Sequence, residues 1–165
     1  MTTADRRDTA TRVLPAGTIA PDFTLRSTPD QTLSLSELRG RSVILAFYPA
    51  DFSPVCTDQL SIYHEVLPQL EERGAALLGI SVDGAFCHKA FQQHLNTTIP
   101  LLADFHPKGE VAKAYGVWSD EYGVATRSLA MVGPDGVVQW SYSSPPLEVP
   151  GANLIFDALE QRTPA

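Results

Sequence analysis

Residues 42–56 read SVILAFYPADFSPVC. Its opening run, SVILAFY, is apolar, rich in β-forming residues and too short for a membrane helix, which predicts a buried central strand. A helix is predicted next, from Pro54 to about Arg73, because proline is accepted in the first turn of a helix. Cys56 is therefore expected in the first turn of a helix that follows a buried strand.

The rest of the chain alternates short apolar runs with amphipathic segments. Gly74 ends the helix, and AALLGISV at 75–82 repeats the pattern of a buried strand, which completes a βαβ unit. Pro68 lies inside the first helix and should kink or split it. A second helix is predicted over 85–95, with Phe86 and Phe91 on its apolar face.

Short runs and turn residues predict several further elements. They are two edge strands in 17–27 and 31–38, a short strand at 100–104, a short helix at 107–116, a hairpin of 128–133 with 137–143, and a C-terminal helix at 152–162. This order describes an α/β fold with a central mixed sheet and helices on both faces.

Length and composition favour one domain. The 165 residues, 44% of them hydrophobic, suffice for one buried core but are few for two. We expect residues 1–13 to be a flexible N-terminal tail, because they are polar and lack periodicity, and residues 14–165 to form a single domain.

The charge balance excludes several partners. Lys and Arg number 12 against 19 Asp and Glu, a formal net charge of −7, so nucleic acid and anionic membranes would be repelled on average. No apolar stretch approaches the ~20 residues that span a bilayer. The N-terminal residues also lack the apolar region of a signal peptide, so we expect a cytoplasmic protein.

Only two cysteines are present, Cys56 and Cys87. They are too few for a secreted disulfide framework, and neither lies in a C-x-x-C motif or in zinc-finger spacing, which argues against structural zinc. If these thiols have a function, they act as single groups.

Cys56 has a reactive and an inert interpretation. In a first helical turn, unpaired N–H groups and the positive end of the helix dipole favour the thiolate. Most free cysteines, however, are small buried apolar side chains. Ser53 could aim its hydroxyl at the sulfur or at a bound oxygen, or could be only the helix N-cap, and Pro49 could wall off one side without a competing N–H.

The pattern P-x-x-x-[ST]-x-x-C, formed by Pro49, Ser53 and Cys56, resembles the active-site signature of peroxiredoxins. APDF at 20–23, SVDGAFCHKAF at 81–91 and TRSLAMVGPDGVV at 126–138 are similar to that family at the expected separations, so the resemblance covers roughly residues 15–142. It implies a thioredoxin-like fold and a peroxidatic Cys56 with Ser53, Pro49 and Arg127 around it. It implies no metal, flavin or haem cofactor.

Activation of the thiol is not sufficient for peroxidase chemistry. A thiol whose pKa falls from ~8.5 to about 6 gains roughly 30-fold in thiolate at neutral pH but loses about 10- to 18-fold in nucleophilicity. The site must therefore supply donors that stabilise charge on the departing oxygen. We expect these to be Arg127, the Ser53 hydroxyl and the N–H groups near Val55 and Cys56, although Arg127 alone could also be a surface ion-pair residue.

The sulfenic acid formed on Cys56 needs a second thiol. Ser61 and Gln92 occupy positions where subgroups of the family place a resolving cysteine, and no cysteine follows Cys87. We therefore expect a one-cysteine mechanism that uses thioredoxin, glutathione or a mycothiol-like thiol. Cys87 stays open as an unconventional resolving residue, which requires Cα atoms within ~7 Å of each other.

The resemblance thus predicts a thiol peroxidase that reduces hydrogen peroxide and organic hydroperoxides, as a homodimer or higher homo-oligomer. The alternatives are a redox sensor or interaction protein without turnover, and a hydrolase with a cysteine nucleophile. A metal site or a Cys–His pair at Cys87 and His88 is a lesser possibility, because single histidines on helices usually face solvent.

Overall fold

A computed structural model describes residues 13–161. The helices are α1 (Pro54–Glu72), α2 (Ala85–Leu95), α3 (Glu110–Ala114) and α4 (Ala152–Gln161). The strands are β1 (Thr24–Thr28), β2 (Gln31–Ser34), β3 (Ser42–Phe47), β4 (Ala75–Ser81), β5 (Leu101–Ala103), β6 (Trp118–Ser119), β7 (Val124–Ala125), β8 (Ser128–Val132) and β9 (Val138–Ser143).

Seven strands form one mixed sheet in the order β2-β1-β5-β4-β3-β8-β9. Strands β3, β4 and β5 lie side by side and run parallel to one another. Strand β8 runs antiparallel to both β3 and β9. Strands β6 and β7 form a separate hairpin. None of the described helices has the length and apolarity that a bilayer crossing requires.

The central strand β3 is buried on both faces. Val43, Leu45 and Phe47 belong to one apolar cluster, and Ile44 and Ala46 belong to another on the opposite side. The alternation follows from the two-residue period of a strand. Helices α1, α2 and α4 supply side chains to the second cluster and α3 to the first, so the predicted α/β fold with a central mixed sheet and helices on both faces is confirmed.

The long periodic elements were predicted closely. Helix α2 has the expected bounds, and α1 ends one residue earlier than expected. Helix α1 continues through Pro68, so the predicted split is wrong. Pro68 is exposed, and water can therefore reach the carbonyl that its missing N–H leaves unpaired.

The N-terminal strands differ from the prediction. Residues 17–23 form no strand beyond a single bridge of Ile19 to Val137, and β1 is not an edge strand because it pairs with β5 as well as β2. A 3-10 turn, Leu35–Leu38, replaces the end of the second predicted strand. The hairpin of β6 and β7 was missed, because strands of two residues carry no periodic signal.

The predicted tail lies outside the described residues except for Val13, which is half-buried against the core.

Two residues of α2 have the opposite exposure to that expected. Phe86 is 77% exposed and His88 is 1% exposed. The expected apolar position of Phe86 and the expected solvent-facing position of His88 are therefore both wrong.

Candidate active site

Cys56 is the third residue of α1 and is fully buried as a free thiol. The N–H of Thr57 bonds the Ser53 carbonyl at 2.9 Å, which is the first backbone bond of the helix. The amides of Val55 and Cys56 precede that bond and have no carbonyl one turn earlier in the helix. The sulfur thus lies where helix N–H groups favour an anion.

Sheet pairing brings a distant arginine to this helix start. Phe47, the last residue of β3, pairs with Ser128, the first residue of the antiparallel strand β8. Arg127 directly precedes β8 and therefore lies beside the end of β3, where the loop to Cys56 begins. The Nη1 atom of Arg127 lies 3.3 Å from the Cys56 sulfur, and the arginine is only 4% exposed. Its alternative interpretation as a surface ion-pair residue is wrong.

The guanidinium is held by neutral acceptors. Its Nη1 also donates to Gln59 Oε1 at 2.7 Å, and its Nε donates to the Pro146 carbonyl at 3.1 Å. Within residues 13–161, no carboxylate is paired with Arg127. A buried cation is costly unless it is hydrogen-bonded or paired with negative charge, and the Cys56 sulfur is a neighbouring group able to carry such a charge.

Ser53 stands at the N-cap of α1 without capping it. Its side chain makes no cap hydrogen bond, and its hydroxyl oxygen is buried without a partner. The interpretation of Ser53 as only a cap is therefore wrong. A buried hydroxyl without a partner is unfavourable by about 1–3 kcal/mol and calls for an explanation, which a bound oxygen ligand would provide. Pro49 is half-buried, two residues beyond β3.

A second polar cluster, which the sequence did not reveal, holds the loop between Pro49 and Ser53. Asp51 accepts a hydrogen bond from the Tyr48 hydroxyl at 2.7 Å, and its other oxygen lies 2.7 Å from His88 Nδ1. His88 Nε2 donates to the Leu102 carbonyl at 3.1 Å, since a carbonyl only accepts. Burial, and then the Asp51 carboxylate, raises the pKa of Tyr48, so its hydroxyl stays a donor.

Cys87 lies at the edge of this cluster, among carboxylates. Its sulfur donates to Asp83 Oδ1 at 3.9 Å, and the other Asp83 oxygen accepts from the Asp51 amide at 2.9 Å. Burial first, and then the Asp51 and Asp83 carboxylates, raise the pKa of Cys87 to about 11. Cys87 is therefore a protonated thiol at neutral pH, and a thiol attacks as the thiolate.

The predicted Cys–His pair and the candidate metal site both involve residues of this cluster. His88 faces Asp51 and Leu102, so the Cys–His pair with Cys87 is wrong. Ligand atoms of Asp51, Asp83 and Cys87 lie within 4.8 Å of one another and could hold a cation. The two aspartates already accept the hydrogen bonds described above, which accounts for their proximity without an ion.

The sequence profile described as the AhpC/TSA family matches residues 16–141. The chain belongs to this family. Its members are peroxiredoxins, and this peroxiredoxin is accordingly a thiol-dependent peroxidase, in which a hydroperoxide is reduced at the expense of a thiol. The matched residues nearly coincide with the part of the chain that carries the resemblance in sequence.

The relatives of this chain agree with this membership. The chain is 37% identical to alkyl hydroperoxide reductase E of Mycobacterium tuberculosis over 152 residues, which is 92% of this chain and 99% of that protein. It is 38% identical to chloroplastic peroxiredoxin Q of Triticum aestivum over 129 residues, 78% of this chain and 58% of that protein. The crystal structure of Enterococcus faecalis AhpC superimposes with a TM-score of 0.80 at 27% identity, covering 90% of this chain and 92% of that one.

We expect the Cys87 thiol to react slowly below pH 10. In a Cys56→Ser background, the rate of alkylation by iodoacetamide should rise about tenfold per pH unit from neutral pH, because the thiolate fraction does so, and level off near pH 11. In urea the plateau should begin near the ordinary thiol pKa of 9.0. Asp83→Asn should move the folded curve to lower pH, though still above the curve in urea, because burial remains. An alkylation rate of the folded protein that levels off near pH 9 would contradict the raised pKa of Cys87.

Proposed function

We propose that Cys56 is the peroxidatic cysteine, that Arg127 and Ser53 are its donors, and that Pro49 walls one side of the site. The observation that carries the proposal is the contact of Arg127 with the Cys56 sulfur at 3.3 Å. A buried guanidinium without a carboxylate partner both compensates a thiolate and is placed to stabilise negative charge that appears next to that sulfur.

The oxidation step balances on these residues. The Cys56 thiolate attacks the terminal oxygen of a hydroperoxide, the S–O bond forms, and the O–O bond breaks. The departing oxygen leaves with the electron pair of that bond and takes a proton to become an alcohol or water. Arg127 and the unpaired Ser53 hydroxyl are the donors available to that oxygen, and the sulfur becomes a sulfenic acid.

An external thiol restores Cys56 in this proposal. A thiol such as thioredoxin, glutathione or a mycothiol-like compound attacks the sulfenic sulfur, a disulfide forms and water leaves. A second thiol then releases Cys56 with formation of the reductant's disulfide. The raised pKa of Cys87 supports this route, because a protonated thiol beside two carboxylates is a weak attacking group.

We also propose that the protein is a homodimer, with contacts along α2. Phe52, Phe86 and Phe105 are exposed by 49%, 77% and 62%. The Phe52 ring packs on Phe91 of α2, and the Phe105 ring approaches Gly84 just before α2, so the three rings border one helix. Neighbouring exposed aromatic side chains are typical of subunit contacts. Location in the cytoplasm stays a prediction.

Replacement of Arg127 should separate the peroxide reaction from general thiol reactivity. We expect Arg127→Ala to slow oxidation by hydrogen peroxide by about 100-fold or more, because a donor to the departing oxygen is lost. Alkylation by iodoacetamide at the same pH should slow by a smaller factor. Stopped-flow oxidation and alkylation rates, with the exposed Arg41→Ala as matched control, measure both effects. Equal losses in the two assays would contradict the role assigned to Arg127.

Turnover should not depend on Cys87. With an external thiol and its reductase present, Cys87→Ser should consume peroxide at the rate of the unmodified chain, whereas Cys56→Ser should consume none. Mass spectrometry of the oxidised protein should find a sulfenic acid or a mixed disulfide at Cys56. An intramolecular disulfide of residues 56 and 87 would overturn the one-cysteine route, and oxidation without any turnover would favour the sensor.

Disruption of the aromatic border should change the oligomeric state. Phe86→Asp places a charge on a side chain that is 77% exposed in the single chain, so the fold should be unaffected. Sedimentation velocity should show a dimer for the unmodified chain and a monomer for this variant. Glu160→Ala, a change at an exposed residue of α4, should leave the dimer unchanged. A monomeric unmodified chain would refute the proposal.

A further inference from the structure

The amide of Gln59 connects the active-site arginine to a tyrosine deeper along α1. Gln59 Oε1 accepts from Arg127 at 2.7 Å, and Gln59 Nε2 donates to the Tyr63 hydroxyl at 3.3 Å. Gln59 and Tyr63 have no exposed surface and lie one helical turn apart. The two ends of the amide therefore have different partners, and its orientation matters to Arg127.

The hydroxyl of Tyr63 determines that orientation. It donates its hydrogen to the Pro150 carbonyl at 2.7 Å, and a carbonyl cannot donate in return. The hydroxyl oxygen can then only accept from Gln59, which must present its NH2 group to Tyr63 and its oxygen to Arg127. Burial raises the pKa of Tyr63 to about 12, so the hydroxyl keeps this hydrogen at neutral pH.

The hydrogen bonds form a closed ring with one backbone segment. Pro146 accepts from Arg127 Nε, and Pro150, four residues further, accepts from Tyr63. The backbone from Pro146 to Pro150 thus binds Arg127 twice. Pro146 accepts from its Nε directly, and Pro150 is connected to its Nη1 through Gln59 and Tyr63. All donors in the chain from Arg127 to Pro150 point in one direction.

We propose that Tyr63 is a positioning residue for the peroxidase reaction, which fixes the Gln59 amide so that its oxygen anchors Arg127 beside Cys56. Without the hydroxyl, the amide can turn and present its NH2 group to the guanidinium, which displaces Arg127 from the sulfur. This inference rests on the roles proposed for Cys56 and Arg127.

The first test is Tyr63→Phe with a matched control. We expect the second-order rate of oxidation by hydrogen peroxide to fall about 10-fold, the scale on which supporting hydrogen bonds affect a site. Tyr115→Phe removes a similar bond, from a buried tyrosine hydroxyl to the Pro21 carbonyl, in the apolar cluster on the other face of the sheet. It should lose comparable stability in thermal unfolding but keep the oxidation rate. A Tyr63→Phe rate equal to that of Tyr115→Phe overturns the proposal.

The second test separates positioning from packing. In a Gln59→Glu background both carboxylate oxygens are acceptors, so no orientation has to be selected, and adding Tyr63→Phe should change the rate by less than about twofold. The same factor in the Gln and Glu backgrounds overturns the proposal, because a structural loss would not depend on residue 59.

If Tyr63→Phe does not fold, Gln59→Met leaves the Tyr63 bond to Pro150 intact and should slow oxidation about 10-fold. An unchanged rate of oxidation overturns the relay. Failure of these tests leaves the Arg127→Ala result intact, so it is distinguishable from failure of the proposed function.

Discussion

The contact of the Arg127 guanidinium with the Cys56 sulfur is the interaction on which the rest of the site depends. It needs a helix that starts at the end of a buried strand and a second strand that pairs antiparallel to it in one register. A slip of that register by one residue would turn the arginine to the other face of the sheet. The apolar sheet thus acts as the frame that holds one cation next to one thiol, away from water.

The two thiols of the chain show how surroundings decide chemistry. Cys56 contacts the buried guanidinium of Arg127, whose other hydrogen-bond partners are neutral acceptors. Cys87 lies next to the carboxylates of Asp51 and Asp83. A cation stabilises a thiolate and a carboxylate disfavours it. Two polar networks, one around Arg127 and one around Asp51, also flank the same loop, and hydrogen bonds in a low-dielectric interior restrict its motion.

Prediction from sequence succeeded where a signal extends over many residues. The apolar run of β3, the bounds of α1 and α2 and the final hairpin all follow from periodicity and turn residues, and they suffice for the fold class. It failed for the strands of β6 and β7 and for Phe86, because two-residue strands have no period and an exposed aromatic looks like a core residue until its surroundings are known. His88 was misjudged because its partners, Asp51 and the Leu102 carbonyl, are far from it in sequence.

The sequence alone is sufficient for the α/β class, the helical first turn that contains Cys56 and the family signature that points to Arg127, since these depend on residues close together in the chain or on a known pattern. The surroundings of the sulfur become visible only in three dimensions. They are the absence of a paired carboxylate on Arg127 among residues 13–161, the unpaired hydroxyl of Ser53, and the relay through Gln59 and Tyr63 to Pro150. Hydrogen-bond direction and the balance of buried charge are properties of distances between residues that lie up to 87 positions apart, and no local pattern encodes them.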